Sequence, residues 1–148
     1  MDKNETLESI KDAIKSHESQ MLKIESAING HNIEDPTVIS KTECVFGLWL
    51  YDDTNNIRAI LGTQFFDKIE ALHAQWHIEY AKIFAIFFKE KKKGFFEKIL
   101  NTNRKVDDME LDKAKLYFEN LLEITQELLK ILSASERRVD AMSENKFN

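Results

Sequence analysis

The sequence predicts an all-α protein, an antiparallel four-helix bundle with a short additional helix that carries the single cysteine. Three observations predict this class. Only four glycines and one proline occur among 148 residues, whereas turn-rich β and α/β folds consume both residue types. Apolar side chains recur every three or four residues in three long segments, which is the helical period. Strand-like segments that could pair with each other are lacking.

The first long helix is predicted at residues 3–29. Asp2 followed by Glu5 forms a capping-box pattern, and Asn29-Gly30 provides a stop signal. His17 divides a seven-residue gap in the apolar stripe of this helix. Because that spacing keeps residues on one face, the imidazole of His17 is expected to be buried.

A connection and a short apolar element come next. We predict a connection at residues 30–41 and a polar loop at residues 52–56. Between them, residues 42–51 contain Cys44 and are compact and apolar. By periodicity alone this element fits either a buried strand or a short helix. We predict a helix, because no second strand candidate is available to pair with it.

The third helix is predicted at residues 63–92, with Gly94 able to end it. The basic run at residues 89–93 fits a solvated helix end, where cations complement the free carbonyl groups. Residues 95–100 are apolar enough to form one or two further turns, and residues 101–103 predict a loop.

The last helix is predicted to begin near Asp107, which forms a second capping-box pattern with Glu110. Its apolar face is wider than a single stripe, which leaves room for a homodimer interface. We expect one domain over residues 1–140 and a frayed tail over residues 141–148.

Charge and composition exclude several classes of protein. The net charge of −5 argues against a nucleic-acid-binding protein, which needs a basic face. A single cysteine cannot form an internal disulfide bond. The polar N-terminus predicts no signal peptide, and the longest apolar run, residues 83–88, is far shorter than a membrane span. The expectation is a soluble cytoplasmic protein, without membrane insertion, whose thiol is reduced.

Four residues stand out as candidate metal ligands. His73 and His77 are four residues apart on the third helix, so both imidazoles point to the same side. His17 and Cys44 also fall at buried positions. Each could be an ordinary core residue, but together they place three imidazoles and a thiol in one core, where all their polar atoms need partners. One Zn²⁺ would satisfy all four, since three nitrogens and one sulfur complete a tetrahedron. His31 follows a turn and is expected to be exposed, not a ligand.

These residues also resemble a known family. A histidine on the first helix, then Cys44-Val45-Phe46-Gly47-Leu48-Trp49-Leu50, then His73-Ala74-Gln75-Trp76-His77 resembles the chemoreceptor zinc-binding (CZB) domain. The Cys-x-x-Gly-x-Trp segment is the most specific part, and the resemblance covers about residues 10–90. The family usually has tryptophan three residues after its first histidine, where this chain has Gln20.

The resemblance implies a zinc site formed by His17, Cys44, His73 and His77. It also implies a dimer that works at the end of bacterial chemoreceptors or beside diguanylate cyclases. Such domains are described as sensing zinc availability, or oxidants such as hypochlorous acid, through the ligand cysteine. Because the chain carries no recognisable output region, we expect a stand-alone sensor or an adaptor that needs a signalling partner.

Three other interpretations remain open. A closed four-ligand site has no position for substrate, so we expect no enzymatic activity, and an enzyme using Cys44 as nucleophile is the least favoured alternative. A hemerythrin-like di-iron bundle would need about five histidines plus carboxylates on several helices. A metal-free helical adaptor would simply bury the histidines, and a chelator would leave its stability unchanged.

Overall fold

Five α-helices and two short 3₁₀ turns make up the computed structural model, which describes residues 1–88 and 106–147. The helices are α1 (Lys3–Ile28), α2 (Val45–Leu50), α3 (Ile57–Leu61), α4 (Thr63–Phe87) and α5 (Asp108–Asp140). The 3₁₀ turns are Asp53–Asn55 and Glu144–Lys146. No strand occurs in either of these two ranges, so the predicted all-α class is confirmed.

The three long helices α1, α4 and α5 pack together, and α5 runs antiparallel to the other two. At one end of the bundle, the Lys3 ammonium donates to the Asp140 carbonyl over 2.7 Å. At the same end, the Arg138 guanidinium lies over the Phe65 ring at 5.4 Å. The starts of α1 and α4 therefore both lie beside the end of α5, and α1 and α4 are parallel to each other.

Residues 29–62, called the return segment below, bring the chain from the end of α1 back to the start of α4. A four-helix bundle would place a long helix on this path. Here the path holds only α2, α3 and a 3₁₀ turn, so residues 1–88 and 106–147 contain the three long helices that the apolar spacing predicts, together with short helices. The return segment forms no long helix because its backbone leaves the helical conformation at three residues. Gly30 and Gly62 adopt positive φ angles, and Asn56 is left-handed.

The helix boundaries follow local signals. The capping box of α1 forms as predicted: the Asp2 carboxylate accepts from the Glu5 amide over 2.8 Å, and the Glu5 carboxylate accepts from the Asp2 amide over 2.8 Å. Asp107 caps α5 by accepting from the Glu110 amide over 2.8 Å. Helix α3 was not predicted, although its buried residues follow a helical spacing (Ile57, Ile60, Leu61).

Parts of the sequence prediction lie outside the described residues. These are the last residues of the helix predicted at 63–92, the basic run, the stop at Gly94, the turns at 95–100 and the loop at 101–103. The division into a domain of residues 1–140 and a tail of residues 141–148 stays a prediction. In the structure, Met142 and Phe147 pack against the core.

The core consists of two apolar clusters along the bundle. One surrounds Ile10, Ile69 and Leu128 near the start of α1, and the other surrounds Ile24, Tyr80 and Leu121 near its end. Between them the Trp76 indole donates to the Thr125 hydroxyl over 2.9 Å, and that hydroxyl donates to the Leu121 carbonyl over 2.6 Å. Every polar hydrogen of this pair is therefore satisfied where α4 meets α5.

Truncating the core should destabilise the bundle measurably. Leu128 is fully buried on α5, whereas Leu122 on the same helix is 41% exposed. We expect Leu128→Ala to lower the free energy of unfolding by about 2–5 kcal/mol, and Leu122→Ala to change it by less than about 1 kcal/mol. Urea unfolding followed by circular dichroism measures both variants. Equal losses in the two would contradict this assignment of the core.

Candidate metal centre

Cys44 lies at the point where the return segment enters α2. Its backbone is extended and it forms the N-cap of the helix. The sulfur accepts from the Gly47 amide at 3.2 Å and lies 3.5 Å from the Lys41 carbonyl. The predicted short helix therefore exists but is shorter than residues 42–51, and the cysteine sits at its first turn. The thiol is half-buried and faces α4.

Gly47 makes this turn possible because it has no side chain. A Cβ atom at this position would lie 1.7 Å from the Lys41 carbonyl oxygen and 3.2 Å from the Cys44 sulfur. Real Cβ atoms do not approach a backbone oxygen so closely, so only glycine fits between the Lys41 turn and α2. This close approach gives the Cys-x-x-Gly spacing a steric cause.

Helix α4 brings two imidazoles to the Cys44 sulfur. The ring centroids of His73 and His77 lie 4.7 Å apart, with the rings nearly perpendicular. The His73 Nε2 atom is 3.3 Å from the Cys44 sulfur. One ligand atom from each of the three residues falls within 4.8 Å of the others. We call Cys44, His73 and His77 the Cys-His cluster.

The return segment also orients the outer histidine. His77 Nδ1 donates to the Ile39 carbonyl over 2.7 Å, so its Nε2 atom carries the lone pair that a metal needs. One turn further along α4, the Tyr80 hydroxyl donates to the Thr37 carbonyl over 2.7 Å. The Thr37 hydroxyl in turn donates to the amide oxygen of Gln20 on α1. This is the contact that Gln20 makes at the position where the family usually has tryptophan.

His17 reaches the same region from α1. Its ring centroid is 5.7 Å from that of His73 and 5.4 Å from that of Trp76, and the residue is almost fully buried. Its Nδ1 atom donates to the Ala13 carbonyl over 2.7 Å, which leaves Nε2 as the acceptor. His17 adjoins the Cys-His cluster but is not one of the three residues within 4.8 Å. His31 is exposed and is not one of the three residues of the cluster.

Burial keeps all three imidazoles neutral. Desolvation lowers the pKa of His17 to about 4, partly opposed by its hydrogen bond to the Ala13 carbonyl. Burial also lowers the pKa of His73 to about 2, with a further contribution from His77, and it lowers the pKa of His77. Neutral imidazoles have free lone pairs, so no proton has to leave before a metal binds. Burial raises the pKa of the Cys44 thiol.

The donor set and its spacing fit zinc. In a tetrahedral zinc site a sulfur and a nitrogen ligand lie about 3.5 Å apart, and the observed distance from the Cys44 sulfur to His73 Nε2 is 3.3 Å. Imidazole nitrogens with a thiolate sulfur suit zinc better than calcium or magnesium, which prefer oxygen.

A di-iron site would need carboxylate ligands in the core, and the part of the chain that the structure describes buries no Asp or Glu residue. The buried polar side chains there are Thr6, His17, His73, His77, Thr125 and Ser135. Helix α5 contributes hydroxyl groups to the core but neither imidazole nor carboxylate. A hemerythrin-like site needs both kinds of ligand on several helices, so the structure disfavours it.

The fold and the site together define a helical protein in which one cysteine and two histidines come together as a group that could hold a metal ion. Residues 17–84 match the family model of the chemoreceptor zinc-binding domain (CZB). The match begins at His17 and includes Cys44, His73 and His77, while α5 lies outside it. No curated protein and no solved structure matches the chain. None of the described helices is long and apolar enough to cross a membrane.

Proposed function

We propose that this chain is a zinc-binding sensory or regulatory domain with a site of one cysteine and three histidines. The observation that carries the proposal is the convergence of the Cys44 sulfur with the imidazoles of His73 and His77, inside a segment that matches the model of a zinc-binding family. When bound, zinc would hold the return segment to α4 and keep Cys44 as a thiolate.

His17 is the fourth ligand in this proposal. Imidazoles that share one tetrahedral zinc have ring centroids about 5 Å apart. The His17 and His73 centroids are 5.7 Å apart, so a small shift of α1 or a side-chain rotation is enough to complete the site. Because four protein ligands leave no position for water or substrate, we infer a structural and regulatory role without catalysis.

The same arrangement supports the architecture that the sequence predicted. We infer that the domain is a variant of a four-helix bundle in which the return segment takes the place of one helix. Its irregular backbone supplies what a helix could not, namely the free Thr37 and Ile39 carbonyls that accept from Tyr80 and His77.

The signal that we propose is zinc itself or an oxidant such as hypochlorous acid. A cleft of about 230 Å³ opens beside the site and is lined by His17, Cys44 and His77 among other residues, so a small solute can reach the sulfur. Attack of the Cys44 thiolate on hypochlorous acid gives a sulfenic acid and chloride, a two-electron oxidation of sulfur. A sulfenic acid is a poor zinc ligand, so the return segment would be released.

The proposed context is bacterial signal transduction in the cytoplasm. We propose a homodimer that acts with a chemoreceptor, a diguanylate cyclase or another signalling protein, since the CZB family is named for chemoreceptors. The apolar residues exposed on α2 and α5 include Val45, Leu48, Met109 and Leu116, and they offer surface for such contacts.

Elemental analysis of the purified protein tests the zinc site. We expect about one zinc per chain, and loss of that zinc in both Cys44→Ala and His77→Ala. The matched control is His31→Ala, which removes an exposed histidine and should retain the metal. A metal-free parent protein, or equal zinc in all the variants, would sink the proposal.

Hydrogen exchange tests the sensing step separately. We expect zinc removal or hypochlorous acid to speed amide exchange in residues 40–55, with α5 unaffected, because only the return segment depends on the Cys44–zinc bond. Unchanged exchange in residues 40–55 after oxidation would mean that zinc is structural and the cysteine is no sensor.

A further inference from the structure

A single carboxylate on α4 holds both ends of the element that carries Cys44. The Lys41 ammonium, three residues before Cys44, forms an ion pair with one carboxylate oxygen of Glu70. The Tyr51 hydroxyl, at the C-cap of α2, donates to the same oxygen over 3.2 Å. The turn before α2 and the residue after it are therefore fixed to one point of the helix that carries His73.

The same residues contact each other and the Cys-His cluster. The Lys41 ammonium lies 5.2 Å from the centroid of the Tyr51 ring. The Tyr51 ring stacks on the His73 ring, with centroids 6.3 Å apart and planes 29° apart. Glu70, Lys41 and Tyr51 thus form a closed set of contacts, called the Glu70 clamp below.

The clamp is mechanically connected to the sulfur. The Lys41 carbonyl lies 3.5 Å from the Cys44 sulfur and is the atom that forbids a side chain at Gly47. A displacement of Lys41 therefore displaces Cys44 as well. On α4, Glu70 precedes His73 by three residues, so both side chains project from neighbouring positions on the helix surface.

We propose that Glu70 is a positioning residue which, through Lys41 and Tyr51, fixes the Cys44 sulfur against His73 and sets the rate at which the site releases zinc. This inference rests on the proposed zinc site. Glu70 is not itself a proposed zinc ligand, and its carboxylate contacts Lys41 and Tyr51. Without the clamp, the sulfur keeps its contacts with the Gly47 amide and the imidazole of His73, but the turn at Lys41 loses its ion pair with α4.

Surface ion pairs by themselves contribute little to stability. A test of Glu70 therefore needs a control variant that loses an ion pair without affecting the position of Cys44. Asp67 offers the matched control. It lies on α4 one turn before Glu70 and pairs with Arg58 of α3, with both side chains more than half exposed. Within the described residues, this pair forms no hydrogen bond or ion pair with residues 41–51. Glu70→Ala and Asp67→Ala remove the same kind of ion pair from the same helix.

The experiment measures zinc release from the two variants and the parent protein after mixing with an excess of a chromophoric chelator. We expect Glu70→Ala to release zinc about tenfold faster than the parent, as for other groups that orient metal ligands. Asp67→Ala should release it at the parental rate. Cobalt substitution adds a spectroscopic signature, since a displaced sulfur weakens the thiolate-to-Co²⁺ charge-transfer band. Equal release rates in Glu70→Ala and Asp67→Ala would overturn the proposal.

Two further measurements separate this inference from the zinc site itself. In the zinc-free protein, Glu70→Ala should speed amide exchange in residues 44–51, and Asp67→Ala should not. Tyr51→Phe removes only the hydroxyl from the clamp and should raise the zinc release rate in the same direction as Glu70→Ala. If the parent protein holds no zinc, the proposed function fails, while the exchange measurement still decides whether the clamp exists. Unchanged exchange in both Glu70→Ala and Tyr51→Phe would exclude the clamp.

Discussion

Removal of zinc is expected to lower the thermal stability of the parent protein strongly and to leave Cys44→Ala unaffected. A ligand that binds only the folded state at a free concentration about a thousand times its Kd stabilises by roughly 4 kcal/mol. The structure explains why the fold should nevertheless survive. The buried residues of the two apolar clusters among α1, α4 and α5 do not include Cys44, His73 or His77, so this core does not depend on the metal.

The measurement is thermal unfolding followed by circular dichroism, with and without a chelator, at a fixed protein concentration. In the parent protein the midpoint should fall by roughly 10 °C or more, given that 1 kcal/mol shifts the midpoint of a chain of this size by about 2–4 °C. Cys44→Ala should already unfold at the lower midpoint and should not respond to chelator. A parent protein whose midpoint is the same with and without chelator would favour the metal-free adaptor.

Gly47→Ala is expected to damage the zinc site more than alanine at Gly30 or Gly62, where an added Cβ would meet no close contact. The new Cβ would lie 1.7 Å from the Lys41 carbonyl oxygen, so either the Lys41 turn or α2 must move. Overpacking of this kind costs about 1–3 kcal/mol. The atom that moves is part of the turn that presents Cys44, so zinc affinity should fall at least tenfold, as it does when the support of a ligand is lost.

Competition with a fluorescent zinc chelator measures this affinity. Val45→Ala is the matched control, since it also places alanine in α2 but at a side chain that is 79% exposed. We expect Val45→Ala to bind zinc as the parent does. Parental zinc affinity in Gly47→Ala would mean that the Lys41 turn is not needed to position the sulfur.

The helices and the candidate ligands were predictable because their signals are local. The apolar spacing around His17 and the Asp2 and Glu5 pattern gave the bounds of α1 to within a residue. The four-residue spacing of His73 and His77 placed both rings on one side of α4. Cys44 was predicted on a short helix, and it lies at the start of one.

The rest depends on contacts between segments that are distant in sequence. No local pattern marks the Ile39 and Thr37 carbonyls as acceptors for α4, since every residue has a carbonyl group. Glu70 belongs to an ordinary polar helix face until Lys41 and Tyr51 fold against it. The path of the return segment could not be predicted either, because α2 and α3 are each apolar enough to be buried but too short to span the bundle.

The central claim, one zinc held by one sulfur and three imidazole nitrogens, is tested most directly by X-ray absorption at the zinc K edge. The account predicts one Zn–S distance of about 2.3 Å and three Zn–N distances of about 2.0–2.1 Å in the parent protein. It predicts loss of the sulfur shell in Cys44→Ala and loss of one imidazole from the first shell in His17→Ala. A spectrum without sulfur in the parent protein, or an unchanged nitrogen count in His17→Ala, would contradict it.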